Sequence, residues 1–237
     1  MFLSRQNKLK LSYSSIIAGI FIAIIAGIYE QDIELARIQS ANFYSNTTEA
    51  YTTTDDEPKE EIITPDWPAK TDVDLTALQE INPDVIGWIY FENEPINYPI
   101  LYSGDNSTYL RHTYTGEYAI AGSIFVDGRN HPDFSDTNTI IYGHNMDDDE
   151  TMFSRILHFL NQEYYNDHQF FQIITNTAIY RYKIYDARIV DPTDDVYQLS
   201  KSELTSSSNY FITLSTCYNG NKNRVAASAI RIDEYNF

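Results

Sequence analysis

The chain has a single cysteine, Cys217, which ends the apolar run NYFITLSTC, and seven residues later Arg224 heads a second run, RVAASAIRI. A thiol beside a guanidinium has a defined chemistry, because the cation favours the thiolate and can also stabilise an oxyanion in a transition state. A lone cysteine is either an inert buried hydrophobe or a reactive group, and the neighbouring arginine is hard to explain as core packing. A nucleophilic thiol also needs a partner that moves protons, for which imidazole is the candidate. Five histidines are available: His112, His131, His144, His158 and His168. His158 falls in a helical segment and His168 in a polar turn, while His112 and His131 sit in polar connections with no strand to aim them. His144 follows the apolar run NTIIY through Gly143, a residue that permits a sharp exit from a strand. Spacing alone leaves His144 and His131 both open as the partner.

The elements that must position these groups are mostly strands. NYFITLSTC and RVAASAIRI flank YNGNKN, whose Asn219-Gly220 pair is a chain-reversal signal, so the two runs form a hairpin that sets Cys217 and Arg224 on neighbouring strands. Eight strand-like runs follow one another: 85–91, 96–101, 122–126, 139–142, 170–175, 178–190, 210–217 and 225–232. The longest, AIYRYKIYDARIV, alternates as a half-buried strand does. An all-β barrel or sandwich with short helices is expected. DLTALQEINPD places Leu75, Leu78 and Ile81 at helical spacing with Pro83 as the stop. ETMFSRILHFLNQ puts Met152, Phe153, Ile156, Leu157 and Leu160 on one helical face, preceded by an acidic run, Asp147 to Glu150, that complements a helix dipole. The spacing of a calcium-binding loop is absent from that run. A further short helix is expected in YQLSKSELTSS.

The formal charge of −18 excludes the phosphate-tracking surface that a nucleic-acid partner requires. From Leu11 to Tyr29 no residue is charged, a span close to the ~20 residues that cross a bilayer core as a helix. Arg5, Lys8 and Lys10 precede it and Glu30, Asp32 and Glu34 follow, which predicts a single-pass anchor with a cytoplasmic N-terminus and an extracytoplasmic bulk. A cleaved signal peptide would have a shorter apolar core and a small-x-small site, and no convincing site follows Ile28. The predicted organisation is a cytoplasmic N-terminus over 1–10, an anchor over 11–29, a juxtamembrane helix followed by an acidic, Thr- and Pro-rich spacer over 30–71, and a folded domain over 72–237.

IIYGHNM, together with TLSTC and an arginine heading the next strand, resembles the sortase family of extracytoplasmic cysteine transpeptidases, and most closely its class B members. NPDVIGWI, INYPIL, DNSTYL and AGSIFVDGRN fit the same family in order, so the likeness covers roughly residues 72–237. It implies a closed eight-stranded sortase-type β-barrel preceded by a transmembrane helix. It implies Cys217 as nucleophile, His144 as the essential histidine and Arg224 as the arginine that binds an oxyanion or the substrate backbone. Ser215, Thr216, Leu110 and Asn106 are the implied substrate-binding residues. The reaction implied is cleavage after threonine in the C-terminal sorting signal of a surface protein and transfer of the acyl group to an amine, with neither metal nor organic cofactor. The acceptor is a cell-wall precursor or, in a pilin-polymerising role, a lysine side chain. A cysteine protease, a catalytically silent surface-binding barrel, and membrane attachment through the N-terminal helix complete the expectations. Class B members usually carry a long helix between the strand ending near Val190 and the one leading to Cys217, whereas here that interval is DPTDDVYQLSKSELTSSS.

Overall fold

Strand-forming sequence dominates after residue 84, and the chain closes it into a ring. The computed structural model describes residues 5–54, 67–68, 71–146, 150–200, 209–220 and 222–237. Two units are distinguished, residues up to Gln39 and Ser40–Phe237. In chain order the elements are helix α1 (Arg5–Tyr51), strands β1 (Thr52–Thr54) and β2 (Thr71–Val73), helix α2 (Leu75–Ile81), strands β3 (Val85–Phe91), β4 (Asn97–Leu101), β5 (Ile124–Val126) and β6 (Asn138–Tyr142), helix α3 (Gln162–Asp167), and strands β7 (Phe170–Ile174), β8 (Ala178–Val190), β9 (Phe211–Tyr218) and β10 (Asn223–Asn236). Single 3₁₀ segments lie at Thr108–Leu110, Ser154–Leu160 and Asp195–Tyr197.

Eight strands form a closed barrel in the order β10-β8-β7-β3-β4-β5-β6-β9, which agrees with the expected closure and removes every open edge from that sheet. Most pairings are antiparallel, but β4 with β5 and β6 with β9 run parallel. The interior holds a stack of rings, Phe91 on Phe171 at 4.9 Å and Phe171 on Tyr182 at 5.3 Å between centroids, all buried. Helix α2 begins where the Asp74 side chain accepts from the amide of Ala77 at 2.9 Å, and it ends at Asn82, whose extended backbone is the one a following proline imposes. Its Leu75 and Leu78 pack beside the fully buried Trp88.

Several expectations need correction. Within the 30–71 stretch, where polar composition suggested that a solvated spacer follows the juxtamembrane helix, α1 continues to Tyr51. Within the barrel unit, Tyr44 and Thr47 are buried and Thr48 Oγ1 donates to the Asn97 carbonyl at 3.1 Å. β1 then pairs with β2, which closes the far end of the same interval, and residues 55–66 lie outside the described residues. The stretch around Ile156 is 3₁₀ over Ser154–Leu160 and not a longer amphipathic helix: Met152 precedes it at positive φ, and Leu160 is exposed. Asp147 to Asp149 lie outside the described residues, and Glu150 pairs with Arg155 and His158. The helix expected in YQLSKSELTSS falls mostly on residues 201–208, which lie outside the described residues; a single 3₁₀ turn at Asp195–Tyr197 leads into it. The expected anchor lies on α1, but the side chains of residues 11–25 are outside those described. Among the described residues, no helix is long and apolar enough to cross a membrane.

Candidate active site

Register brings the three reactive groups together. In the parallel pair β6–β9, Tyr142 stands opposite Ser215, and the Gly143 amide donates to the Ser215 carbonyl at 3.1 Å. Parallel strands leave the barrel at the same end, so His144, two residues past Tyr142, and Cys217, two past Ser215, arrive at one rim. On the other side of β9 the antiparallel register pairs Cys217 directly with Arg224, and directly opposed residues share a face. The intervening turn has Asn219 at φ 51° and Gly220 at φ 61°, the left-handed pair that the Asn-Gly signal predicts. A groove of about 560 Å³ results, lined by Cys217, His144 and Arg224, together with Asn106, Leu110, Ser215 and Thr216. Cys217, His144 and Arg224 are all half-buried, so the thiol is reachable and not sealed in the core.

The thiol-bearing strand and the imidazole are held from behind. Asn145 Nδ2 donates to the Cys217 carbonyl at 3.2 Å, which ties the loop after β6 to the strand that carries the thiol. The amide of Phe153 donates to the His144 carbonyl at 3.0 Å. The imidazole Nε2 lies 2.7 Å from the Leu110 carbonyl. A carbonyl only accepts, so Nε2 carries the proton and Nδ1 is left as the basic nitrogen. Burial pushes the His144 imidazole below the ordinary histidine range; the Leu110 carbonyl opposes this, and the charge of Arg111 adds to it. This environment favours the neutral ring over the imidazolium. Gly143 serves a purpose other than the one its sequence context suggested. Its φ is not positive, and a Cβ there would come within 2.5 Å of Ile124 Cδ1 and 2.6 Å of Phe153 Cγ, so glycine is needed for close packing under the loop.

The remaining predicted residues take distinct places. Thr216 is buried and its hydroxyl has no hydrogen-bond partner among the described residues. Ser215 is buried too, but its Oγ is engaged by the Tyr197 hydroxyl at 2.8 Å. Leu110 is exposed at the groove edge, at the end of a single 3₁₀ turn, and Asn106 precedes that turn with Oδ1 accepting from the Gly128 amide at 2.7 Å. His131 does not line the groove; it sits on the surface against Asp136, which holds its pKa above the usual value.

Sequence reasoning missed a polar support beneath the groove. Asp127 follows β5 and is buried, yet Arg129 grips it with Nε at 2.9 Å and Nη2 at 2.8 Å, and the Tyr142 hydroxyl donates to it at 2.8 Å. Burial opposes ionisation of Asp127, but the guanidinium and these hydrogen bonds outweigh it, so the carboxyl stays below its ordinary range. Tyr142 stacks on Tyr197 at 6.5 Å, so the support reaches from β6 to the loop over Asp195–Tyr197. An acidic residue ending an apolar strand, Ile124–Val126 then Asp127, was the signal available in the sequence. The groove wall formed by Pro192, Thr193, Asp194, Asp195, Tyr197 and Gln198 carries no such signal.

Comparison with known proteins points to one family and fold. Residues 92–231, more than half of the chain, match the sortase domain model. The chain is 40% identical over 126 residues to sortase B of Listeria monocytogenes, covering 53% of this chain and 50% of that protein. It spans about half the length of the curated relatives it matches. Among solved structures it resembles sortase B of B. anthracis in complex with AAEK1, with a TM-score of 0.65 and 27% identity over 85% of this chain and 100% of that one. It also resembles a Streptococcus pyogenes class B sortase involved in pilus biogenesis, with a TM-score of 0.60 and 26% identity over 68% of this chain and 98% of the other.

Proposed function

This chain belongs to the sortase family, and we propose that it is an extracytoplasmic cysteine transpeptidase held at the membrane by residues 11–29. In the proposed reaction Cys217 Sγ attacks the carbonyl carbon of a threonine in the C-terminal sorting signal of a surface protein. The thiol proton passes to His144, the C–N bond after the threonine breaks, and the imidazolium returns that proton to the departing amine. A thioester now joins the threonine to Cys217. An amine from a cell-wall precursor attacks the thioester carbonyl and loses a proton through His144. The C–S bond then breaks, and the proton restores the thiol. Arg224 donates hydrogen bonds to the oxyanion that forms in each half of the reaction. Thr216, Leu110 and Asn106 contact the sorting signal, and Ser215 acts through Tyr197.

One observation carries this reading: the only thiol, an imidazole held by one nitrogen and a guanidinium line the same groove. The chemistry needs water to lose against an amine. Incubating the chain with a sorting-signal peptide and an amine acceptor should give mainly the amide-linked product, measured by chromatography. Hydrolysis no slower than aminolysis would make the chain a protease. Surface-protein attachment that survives Cys217→Ala in cells would make it a silent binding domain.

A second acceptor, a lysine side chain of a pilin subunit, is favoured by the likeness to the pilus-associated class B sortase. The interval after β8, DPTDDVYQLSKSELTSSS, is also short in sequence for the long helix expected of class B members. Supplying lysine-bearing pilin peptide against cell-wall precursor in the same assay separates the two acceptors.

A further inference from the structure

The Leu110 carbonyl that holds His144 belongs to a loop whose other end is fixed by a residue far away in sequence. Tyr44 lies in the part of α1 that belongs to the barrel unit and is buried. Its hydroxyl donates to the Gly122 carbonyl and lies 2.9 Å from Ser123 Oγ. Ser123 in turn is bonded to the loop's beginning: its amide donates to the Tyr109 carbonyl at 3.0 Å and its Oγ to the His112 carbonyl at 2.8 Å. Gly122 has φ +55°, and its α-carbon lies so close under Tyr109 and Leu110 that a Cβ would come within 2.5 Å of either carbonyl oxygen. Movement of Gly122 is thus transmitted directly to the backbone of Leu110. Neighbouring rings seat the same stretch of helix, with Phe43 on Tyr114 at 5.4 Å and Tyr44 on Tyr98 at 5.5 Å between centroids.

We propose that Tyr44 is a positioning residue for the imidazole of His144: by pinning Gly122 and Ser123 it sets the Leu110 carbonyl that fixes the ring through Nε2–H. The proposal rests on the transpeptidase reading for its effect on turnover, but not for its effect on the ring. A buried hydroxyl aimed at one backbone carbonyl, two contacts from a reactive imidazole, constrains the geometry of proton transfer, where small displacements are costly. It also makes the last turns of the N-terminal helix part of the active-site scaffold.

The test uses the chain of residues 1–237 with Tyr44→Phe, which keeps the ring and removes the hydroxyl. Acyl transfer should lose about tenfold in kcat with KM unchanged, because the interaction acts on the chemical step and not on ground-state binding. Long-range ¹H–¹⁵N spectra should show the His144 ring leaving a single Nε2–H tautomer for a mixture. Ser123→Ala, which breaks the same link from the barrel side, should reproduce the spectral change. Thr48→Val removes a different hydroxyl bond of the same helix, to the Asn97 carbonyl, and should leave ring and kcat as in the parent. Unchanged ring shifts in Tyr44→Phe and Ser123→Ala, or an equal change in Thr48→Val, would overturn the proposal. If the parent chain transfers no acyl group, the ring shifts still decide the positioning claim, so the two readings fail separately.

Discussion

In the proposed reaction Arg224 acts through its shape as well as its charge. The side chain stands opposite Cys217 in the sheet register, so its planar fork of donors can address an oxygen on a carbon bonded to sulfur. Lysine keeps the charge and loses the fork. Arg224→Lys is expected to fold normally by circular dichroism and to lose roughly 10²-fold in kcat; near-parental turnover would remove the oxyanion role. At His144 burial disfavours the charged ring, so the folded pKa lies below the ordinary value and the neutral base persists as pH falls. The acid limb of kcat/KM should therefore lie below about pH 6.5. Arg111→Ala, by removing a like charge that lowers this pKa, should move the limb upward. A limb above the ordinary histidine range would contradict the desolvated site.

Among the elements, the β6–β9 pair matters most, because it alone joins the strand that leads to His144 to the one that carries Cys217. The pairing is parallel and spans strands far apart in sequence. For that reason spacing could not choose between His144 and His131, whereas the β9–β10 hairpin made the Cys217–Arg224 pair legible at once. The eight strands could be read from their apolar alternation, and their limits in the structure differ from the expected ones by few residues outside β10, which runs on to Asn236. The last turns of α1 were hidden because their packing residues Phe43, Tyr44, Thr47 and Tyr51 are embedded in Asn, Ser, Thr and Glu, a composition that reads as a polar spacer. The wall over residues 192–198 was hidden for another reason: irregular backbone has no period to detect. Gly143 at the end of β6 is expected to refuse a side chain. Gly143→Ala forces a methyl into Ile124 and Phe153 and should cost about 1–3 kcal/mol in denaturant unfolding, with activity reduced further than stability explains. A variant of parental stability and activity would mean that the loop carrying His144 is loosely seated.

For the molecule as a whole, the barrel and every groove-lining residue fall within Ser40–Phe237, which also holds the helical turns that bury Tyr44 and Thr47. A chain of residues 40–237 should fold cooperatively and retain peptide transfer. A chain of 52–237 should melt lower, since it lacks the ring contacts of Phe43 and Tyr44 and the Thr48 bond to β4, and should lose turnover because the Tyr44 hydroxyl bond to Gly122 is gone. Equal melting temperatures would show that those turns are ornamental to the barrel. The central claim concerns a covalent bond at one sulfur, and intact-protein mass spectrometry during turnover of a sorting-signal peptide reads that bond directly. The account predicts an adduct equal to the peptide up to its threonine, mapped to Cys217, discharged by an added amine and absent from Cys217→Ala. Cleavage of the peptide with no adduct at Cys217, or with the adduct persisting in Cys217→Ala, would contradict it.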